Sequence, residues 1–448
     1  MVDGRALWSI EVRIAEKIVD RVHSVSLSAF LSRLFGASLG SMHRELGEQE
    51  TTRRRFLKAG LAGLASSAWA DDVVKLPFDN GERPLVRYPQ KRPLIRHTAR
   101  PPQLETPFSV YHESLLTPND AFFVRYHLAG SPPPLSVLNP ETFRLQVRGS
   151  IQTPQTWSLE TLKQKFETVE VIAVNQCSGN SRGFFQPRVP GGQSGHGNMG
   201  CARWRGVRLA DVLKASTVLP QAKQVLFDGL DRPLVASIPD FVKAMEVEQA
   251  LDPDVLLAWE MNGEPLPWLN GYPLRLVVPG HYGTYWVKHL HSIQVVDATF
   301  TGFWMNPAYR IPDDPCAHVA PGTTPKRTVP IDRFNVRSFM TSHQTGDRIQ
   351  RSGSGITLRG IAFDGGSGIR DVTVSTDGGK RWTTAQLGKD LGRYAFREWT
   401  LDWQPPAEGT PEVWVRATNR LGQSQPLDAL WNPAGYMRNV VERTALSL

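Results

Sequence analysis

Residues 169–183 read Val-Glu-Val-Ile-Ala-Val-Asn-Gln-Cys-Ser-Gly-Asn-Ser-Arg-Gly, an apolar β-type run that ends in a turn rich in Gly, Asn and Ser. A cysteine directly after such a strand is placed to point into a cleft. Nearby backbone N–H groups and Arg182 are surroundings in which cysteine works as a thiolate. Taken alone, Cys177 fits a buried inert thiol equally well. A nucleophile would also need a histidine base, and no cysteine-protease signature surrounds it.

Short apolar runs separated by turns continue on both sides of this stretch and predict strands. Before residue 320 the predicted strands cover residues 143–147, 169–174, 225–227 and 274–278. Helical spacing predicts two helices, over residues 159–166 and 209–215. The Pro- and Arg-rich segment 71–105 shows little periodicity, so we expect an extended arm that contributes no core element.

A second pattern follows the turn-rich linker Ala320-Pro321-Gly322-Thr323-Thr324-Pro325. Its strand-like runs cover residues 356–362, 369–375, 381–386, 394–403 and 412–417. Short strands at this spacing predict an immunoglobulin-like β-sandwich without the cysteine pair of an antibody domain. The sequence therefore predicts an α+β fold with one domain over residues 106–322 and a sandwich over residues 323–448.

Composition excludes several classes of protein. The chain has 448 residues and a formal net charge of +8, but the basic residues are scattered, so we expect no nucleic-acid partner. Its 3 Cys exclude a disulfide scaffold, a four-thiolate zinc or iron–sulfur site and covalent haem. No uncharged apolar run reaches the roughly 18 residues of a membrane-spanning helix. Cys201 and Cys316 could pair with each other or remain free.

The first 70 residues have the pattern of an export signal. Thr52-Arg53-Arg54-Arg55-Phe56-Leu57-Lys58 precedes a short apolar stretch, and Ala68-Trp69-Ala70 has the form of a signal-peptidase site. This resembles a twin-arginine signal, which exports folded proteins and here predicts a periplasmic location. A basic helix end leading into a buried helix is the alternative. Because many residues precede the arginines, we favour translation from Met42.

Several longer motifs follow one another in an order that resembles the sulfite oxidase family of molybdenum enzymes. They are Phe122–His127 (FFVRYH), the Cys177 turn, Ala202–Val207 (ARWRGV), Leu256–Gly263 (LLAWEMNG) and Gly271–Gly280 (GYPLRLVVPG). Gly302–Met305 (GFWM) and Ala308–Pro312 (AYRIP) are most similar to periplasmic bacterial sulfite dehydrogenases and the related sulfane dehydrogenase subunit of the Sox system. The resemblance implies a molybdopterin-binding domain followed by a dimerisation domain.

The resemblance also assigns roles to individual residues. Cys177 matches the thiolate ligand of molybdenum, which one molybdopterin without a nucleotide extension also holds. Arg125, His127, Arg182 and Tyr309 match the substrate pocket, where guanidinium groups suit a sulfite dianion. Arg438 is expected to reach this pocket from the sandwich, because Ala434 stands where vertebrate enzymes have a substrate arginine.

A further set of positions matches residues that hold the pterin and its phosphate in the family. It comprises Phe123, Val124, Arg125, Tyr126, His127, Asp231, Asn270, Arg275, Trp286, Val287 and Lys288. Backbone N–H groups of Gly283 and Thr284 would add to the phosphate site. Asn270 replaces a vertebrate histidine, and Tyr285-Trp286 replace Arg-His, so the phosphate contacts at these positions depart from the vertebrate pattern.

The function implied is periplasmic oxidation of sulfite to sulfate. Without a haem motif, the two electrons are expected to pass to a separate c-type cytochrome. The protein is expected to form a homodimer or a heteromer with a cytochrome subunit. The alternatives are a Sox-type sulfane dehydrogenase, a reductase of methionine sulfoxide or nitrate, and, from a different class, an exported binding protein without catalytic activity.

Overall fold

The structure is a computed structural model that describes residues 72–349 and 355–448. The predicted export signal and the Met42 start lie outside the described residues. The first part of the chain forms seventeen strands: β1 Val73–Lys75, β2 Glu82–Val86, β3 Leu94–Thr98, β4 Gln103–Glu105, β5 Val124–Arg125, β6 Arg144–Gly149, β7 Gln155–Ser158, β8 Thr168–Gln176, β9 Met199–Arg208, β10 Gln224–Gly229, β11 Val242–Glu246, β12 Leu256–Met261, β13 Glu264–Pro265, β14 Arg275–Val277, β15 Leu290–Val296, β16 Arg310–Pro312 and β17 Thr328–Pro330.

Helices in the described residues are few and short, which confirms the predicted α+β class. They are α1 Val110–Glu113, α2 Leu159–Lys165, α3 Leu209–Ser216 and α4 Val247–Ala250. The predictions for α2 and α3 are confirmed. The Ser158 side chain caps α2 by accepting a hydrogen bond from the Thr161 N–H. No helix among the described residues is long and apolar enough to cross a membrane.

The part of the chain that precedes Arg337 contains the two-stranded sheet β16-β17 and three five-stranded sheets. Their strand orders are β1-β2-β3-β4-β5, then β11-β10-β15-β6-β7, and β13-β12-β9-β8 with β14 also paired to β12. The long antiparallel pair of β8 and β9 runs in continuous register from Thr168 opposite Val207 to Gln176 opposite Met199. This pairing along the whole of β8 places the Cys177 turn directly after the end of that strand.

The prediction that residues 71–105 form an extended arm without a core element is wrong. This segment forms strands β1 to β4 and contributes buried side chains. Leu94 and Leu104 are fully buried and pack with Val124, Tyr126 and Leu269 in a small apolar cluster. Pairing of β4 with β5 aligns Gln103 with Arg125. The segment therefore supports the strand that carries Arg125, whereas a surface arm would not.

The C-terminal sandwich is present, as predicted. Its strands are β18 Arg337–Met340, β19 Ile356–Phe363, β20 Ile369–Ser375, β21 Thr383–Thr384, β22 Gln386–Leu387, β23 Arg397–Trp403, β24 Glu412–Asn419 and β25 Glu442–Ala445. They form two sheets in the orders β18-β19-β23-β22 and β21-β20-β24-β25. The single strand predicted over residues 381–386 is wrong, because the chain changes sheets between β21 and β22 at Ala385.

One apolar core extends from the sheets around β8 and β9 into the sandwich. Phe122 and Trp204 belong to the same buried cluster as Phe363 and Phe396 of the sandwich. A second cluster, which includes Leu358 and Trp399, fills the space between the two sandwich sheets. The sandwich is thus packed against the domain that carries Cys177 by buried side chains.

Candidate active site

The Cys177 turn is held by backbone and amide hydrogen bonds. The Cys177 N–H donates to the Asn198 carbonyl at 2.9 Å, and the Cys177 carbonyl accepts from the Asn180 N–H at 3.0 Å. The Asn180 side chain accepts from the Asn198 N–H at 3.0 Å. Ser181 then takes a left-handed φ of +68° that starts the 3₁₀ turn Arg182–Phe184. These bonds fix the position of the partly buried, free Cys177 thiol.

A cleft opens beside this thiol. Nine of the residues predicted from the sequence line it: Phe123, Arg125, His127, Cys177, Asn270, Arg275, Trp286, Lys288 and Tyr309. They come from strands and turns that are up to 186 positions apart, as Phe123 and Tyr309 illustrate. The structure therefore brings most of the predicted set together around one thiol.

The cations in and beside the cleft have no carboxylate within ion-pair distance among the described residues. Arg125, Arg182, Arg275 and Lys288 form no ion pair with any of residues 72–349 and 355–448. Lys288 donates to the Arg125 carbonyl at 2.7 Å, and Arg275 donates to the Asn270 carbonyl at 2.8 Å. Carbonyl oxygens satisfy N–H groups without cancelling their charge. The arrangement suits anionic ligands.

Burial alters the titration of these cations. Burial lowers the pKa of Arg275 to about 9, and burial together with Arg275 lowers the pKa of Lys288 to about 7. The charge of Asp231 acts in the opposite direction on Lys288. Both cations pay a desolvation cost that a bound anion would offset.

His127 and Tyr309 form a hydrogen-bonded pair at the wall of the cleft. The His127 ring stacks on Phe241 with a centroid distance of 4.0 Å. Burial, reinforced by the charge of Arg125, holds the pKa of His127 well below its usual value. Burial also raises the pKa of Tyr309 above its usual value. The pair is therefore uncharged at neutral pH.

Several polar atoms that border the cleft are buried without a hydrogen-bond partner among the described residues. They are Asn175 Oδ1, Ser178 Oγ, Arg275 Nε and Thr284 Oγ1. Buried polar atoms are seldom left unpaired in proteins. Together with the unbalanced cations and the lone thiol, these atoms fit a polar, anionic group bound in the cleft.

Four predicted cofactor residues lie behind the wall of the cleft and do not line it. Val124, Tyr126 and Val287 are each 1% exposed. The Tyr126 ring lies under the Lys288 ammonium at 4.4 Å. Asp231 is buried and accepts a hydrogen bond from Ser131 at 3.1 Å. Of these residues, Tyr126 and Asp231 act on Lys288 from behind the wall of the cleft.

Arg438 does not reach the cleft, so its predicted position needs correction. Its guanidinium donates to Glu442 at 2.7 Å and lies 5.1 Å from the centre of the Phe184 ring. Glu442 also accepts from Arg337 at 2.8 Å. Met437 has a left-handed φ of +62°, which turns the chain between Tyr436 and Arg438. Arg438 therefore faces a different cavity, and Tyr436 faces the Arg182 side.

Sequence reasoning missed two buried lysines close to the site. Lys91 donates to the carbonyls of Asn119 and Phe122 and to Asn270 Oδ1 at 2.5 Å, which fixes the amide that lines the cleft. Lys243 lies 5.0 Å from the Tyr309 ring centre and donates to the Trp304 carbonyl. The sequence did contain a signal for Lys243, because it is the only lysine within the apolar run of β11. Lys91 gave no signal, because its segment lacks periodicity.

Comparison with known proteins identifies the family. The family described as "Oxidoreductase molybdopterin binding domain" matches residues 131–304, and the one described as "Mo-co oxidoreductase dimerisation domain" matches residues 328–448. Mitochondrial sulfite oxidase of Mus musculus is 33% identical over 396 residues, which are 85% of this chain and 67% of that protein. The chain belongs to the sulfite oxidase family. Its cofactor is molybdenum bound to molybdopterin.

Two further relatives show how far the likeness extends. Mitochondrial sulfite oxidase of Drosophila melanogaster is 31% identical over 399 residues, and the match covers 82% of this chain and 65% of that protein. The crystal structure of the sulfane dehydrogenase SoxCD from Paracoccus pantotrophus shares the fold, with a TM-score of 0.66, 23% identity and coverage of 91% of this chain and 92% of that one. The chain is an oxidoreductase of this family.

The enclosed lysines predict a pH-dependent effect of the cofactor on stability. Burial lowers the pKa of Lys91, Lys243 and Lys288 to about 7, below the ordinary lysine value. In the cofactor-free protein, the unfolded chain therefore binds more protons above pH 7, and stability rises from pH 7 toward pH 10. An anionic cofactor beside Lys288 favours its charged form and reduces this rise.

We expect the difference in melting temperature between loaded and cofactor-free protein to be larger at pH 7 than at pH 9. Thermal melts of both forms at several pH values measure it. Lys288→Met in the cofactor-free protein should weaken the pH dependence. A melting difference that does not change with pH would contradict this assignment.

Proposed function

We propose that this protein oxidises sulfite to sulfate. The observation that carries the proposal is the pair Arg125, which lines the Cys177 cleft, and Arg182, which does not line it but lies against Tyr436 next to Tyr309. Neither arginine has a carboxylate partner among the described residues. Two guanidinium groups give a small dianion paired, charged hydrogen bonds at any working pH. The names of the related sulfite oxidases support the same substrate.

Cys177 would hold the molybdenum through its thiolate, and the unpaired polar atoms around it would hold the pterin. Lys288, Arg275 and the N–H groups of Gly283 and Thr284 would hold the phosphate, since all four residues line the same cleft. A soft thiolate suits a metal that changes oxidation state. The chemistry that the bound cofactor supplies is the transfer of an oxygen atom and the uptake of two electrons.

The side chains of the cleft bind the substrate and handle its protons. Sulfite and water give sulfate, two protons and two electrons, so the site must bind a dianion and release protons. Arg125 and Arg182 bind the anion and direct its sulfur inward. Tyr309 and His127 are both uncharged, so the hydrogen bond between them can pass a proton without placing a net charge beside the arginines.

The proposed acceptor of the two electrons, which would leave one at a time, is a separate c-type cytochrome. The 3 Cys of the sequence include no haem-attachment motif. The sandwich mediates assembly, either as a homodimer or with a cytochrome subunit. The family description of residues 328–448 as a dimerisation domain supports this role. A two-fold homodimer interface would use the same surface on both copies.

Cys177→Ser should abolish sulfite-dependent reduction of ferricyanide while the protein remains folded, since many other contacts retain the pterin. Molybdenum and pterin contents, measured on protein from a molybdopterin-competent host, accompany the assay. Cys316→Ser, which changes an exposed thiol, is the matched control and should keep full activity. Turnover above a few per cent of wild type in Cys177→Ser would refute the ligand assignment.

Arg125→Gln should raise KM for sulfite and lower kcat, because the guanidinium both binds the anion and orients it. Loss of one charged hydrogen-bonding group from an enclosed site costs about 2 to 4 kcal/mol, or roughly 30- to 1000-fold in kcat/KM. Arg203→Gln, at an exposed arginine of β9, is the control.

The same variant separates sulfite oxidation from sulfane dehydrogenation, which the shared motifs leave open. The fold likeness to SoxCD is the reason to test it. Unchanged sulfite kinetics in Arg125→Gln, together with impaired turnover of a sulfane bound to a carrier protein, would favour the sulfane substrate.

We further propose that the protein acts in the periplasm after twin-arginine export. Replacing Arg53-Arg54 by Lys-Lys should leave the protein in the cytoplasm with its signal uncut, because the pathway reads the arginine pair. Cell fractionation and immunoblotting measure the distribution. An unchanged periplasmic yield would show that export uses another route.

A further inference from the structure

Arg182 lies in a narrow slot formed by three glycines from separate segments. A Cβ atom at Gly179 would lie 2.7 Å from the Arg182 Cζ, and one at Gly191 would lie 2.9 Å from its Nη1. A Cβ atom at Gly435 would lie 3.0 Å from the Arg182 Nε. Any side chain at these positions would displace the guanidinium. We call Gly179, Gly191, Gly435 and Tyr436 the arginine slot.

Tyr436 closes the arginine slot and connects it to Tyr309. The Arg182 Cζ lies 5.1 Å from the centre of the Tyr436 ring, within the range of a cation–π interaction. The Arg182 Nε also donates to the Gly435 carbonyl at 3.3 Å. The Tyr436 ring stacks on the Tyr309 ring with a centroid distance of 5.5 Å and an interplanar angle of 3°. One side chain thus contacts both a substrate arginine and the tyrosine of the cleft.

The backbone around Tyr436 is tied down on several sides. Asn432 accepts from the Tyr436 N–H at 3.1 Å and donates to the Tyr436 carbonyl at 2.9 Å. The Met437 N–H donates to the Ser178 carbonyl at 3.1 Å, which joins this segment directly to the Cys177 turn. The Asn335 side chain donates to the Met437 carbonyl at 3.3 Å. The position of the Tyr436 ring is therefore set by the fold.

We propose that Tyr436 is a positioning residue that holds the Arg182 guanidinium in the orientation that binds the substrate anion. The inference rests on the proposed oxidation of sulfite and deepens it. A π face stabilises a guanidinium without neutralising it, whereas a carboxylate would compete with the anion. Tyr436 thereby keeps Arg182 charged, oriented and free to bind, and it does so from the C-terminal part of the chain.

Substitution of Tyr436 should act mainly on substrate binding. Loss of the π face in Tyr436→Leu should raise KM for sulfite by about 2- to 30-fold, the range expected of a partly buried cation–π interaction. We expect kcat to change by less than about twofold, because Tyr309 keeps its bonds to His127 and Ile331. Tyr436→Phe retains the ring and should keep KM near wild type.

A double-mutant cycle tests whether Tyr436 acts through Arg182. In the Arg182→Gln background, Tyr436→Leu should cause no further rise in KM. Trp414→Leu is the matched control, because it removes the aromatic ring 3.8 Å from Arg443 on the sandwich. It should leave KM unchanged. Thermal melts and molybdenum content of each loaded variant show whether the protein is intact.

Calorimetric titration of the loaded protein with sulfate provides a measurement that does not need turnover. The sulfate dissociation constant should rise in Tyr436→Leu and remain near wild type in Tyr436→Phe. If wild type binds sulfate in this way but does not oxidise sulfite, the proposed function fails and the inference stands. An unchanged sulfate affinity in a folded Tyr436→Leu, or an equal effect with Arg182 already replaced, would overturn the inference.

Discussion

Unbalanced positive charge around one thiol is the constraint on which the arrangement of this protein depends. Arg125, Arg182, Arg275 and Lys288 form no ion pair with other described residues, although burial of an unpaired charge is costly. Carbonyl oxygens and aromatic rings compensate only part of that cost. An anionic cofactor, and the anionic substrate proposed above, would offset the remainder on binding.

This constraint explains why so much of the chain supports a small cleft. Strand β5 positions Arg125, and it is backed by β4 and by the cluster that contains Leu104. Lys91 comes from the same N-terminal segment and holds the Asn270 amide. From the opposite end of the chain, Tyr436 encloses Arg182. Cations that lack carboxylate partners must be positioned by packing and by hydrogen bonds to carbonyl groups. Such positioning requires well-ordered elements on every side of the cleft.

The sequence predicts residues well where they lie in contiguous motifs and poorly where a side chain acts alone. Cys177, Arg275 and Lys288 line the cleft as expected because each belongs to a motif next to a strand. Lys91 was missed because the apolar residues of its segment recur with neither the strand period of 2 nor the helix period of 3.6. The neighbouring strands β2 and β3 nevertheless pair through backbone hydrogen bonds. Arg438 was misplaced because a single left-handed residue, Met437, decides which side of the segment faces Arg182. A turn made by one left-handed residue does not change the periodicity of apolar residues in the sequence, so the pattern does not predict it.

Separation of charge binding from proton transfer is the other consequence of the arrangement. A histidine that became protonated beside Arg125 would add a third cation to the anion site, and burial together with Arg125 keeps the pKa of His127 low enough to prevent it. Tyr309 remains a phenol for the same reason of burial. The arginines therefore define the charge of the cleft, while the neutral His127–Tyr309 pair can relay protons without altering it. For the proposed oxidation of sulfite to sulfate, a charge that stays constant would favour turnover, because neither dianion would then be trapped by a cation formed during the reaction.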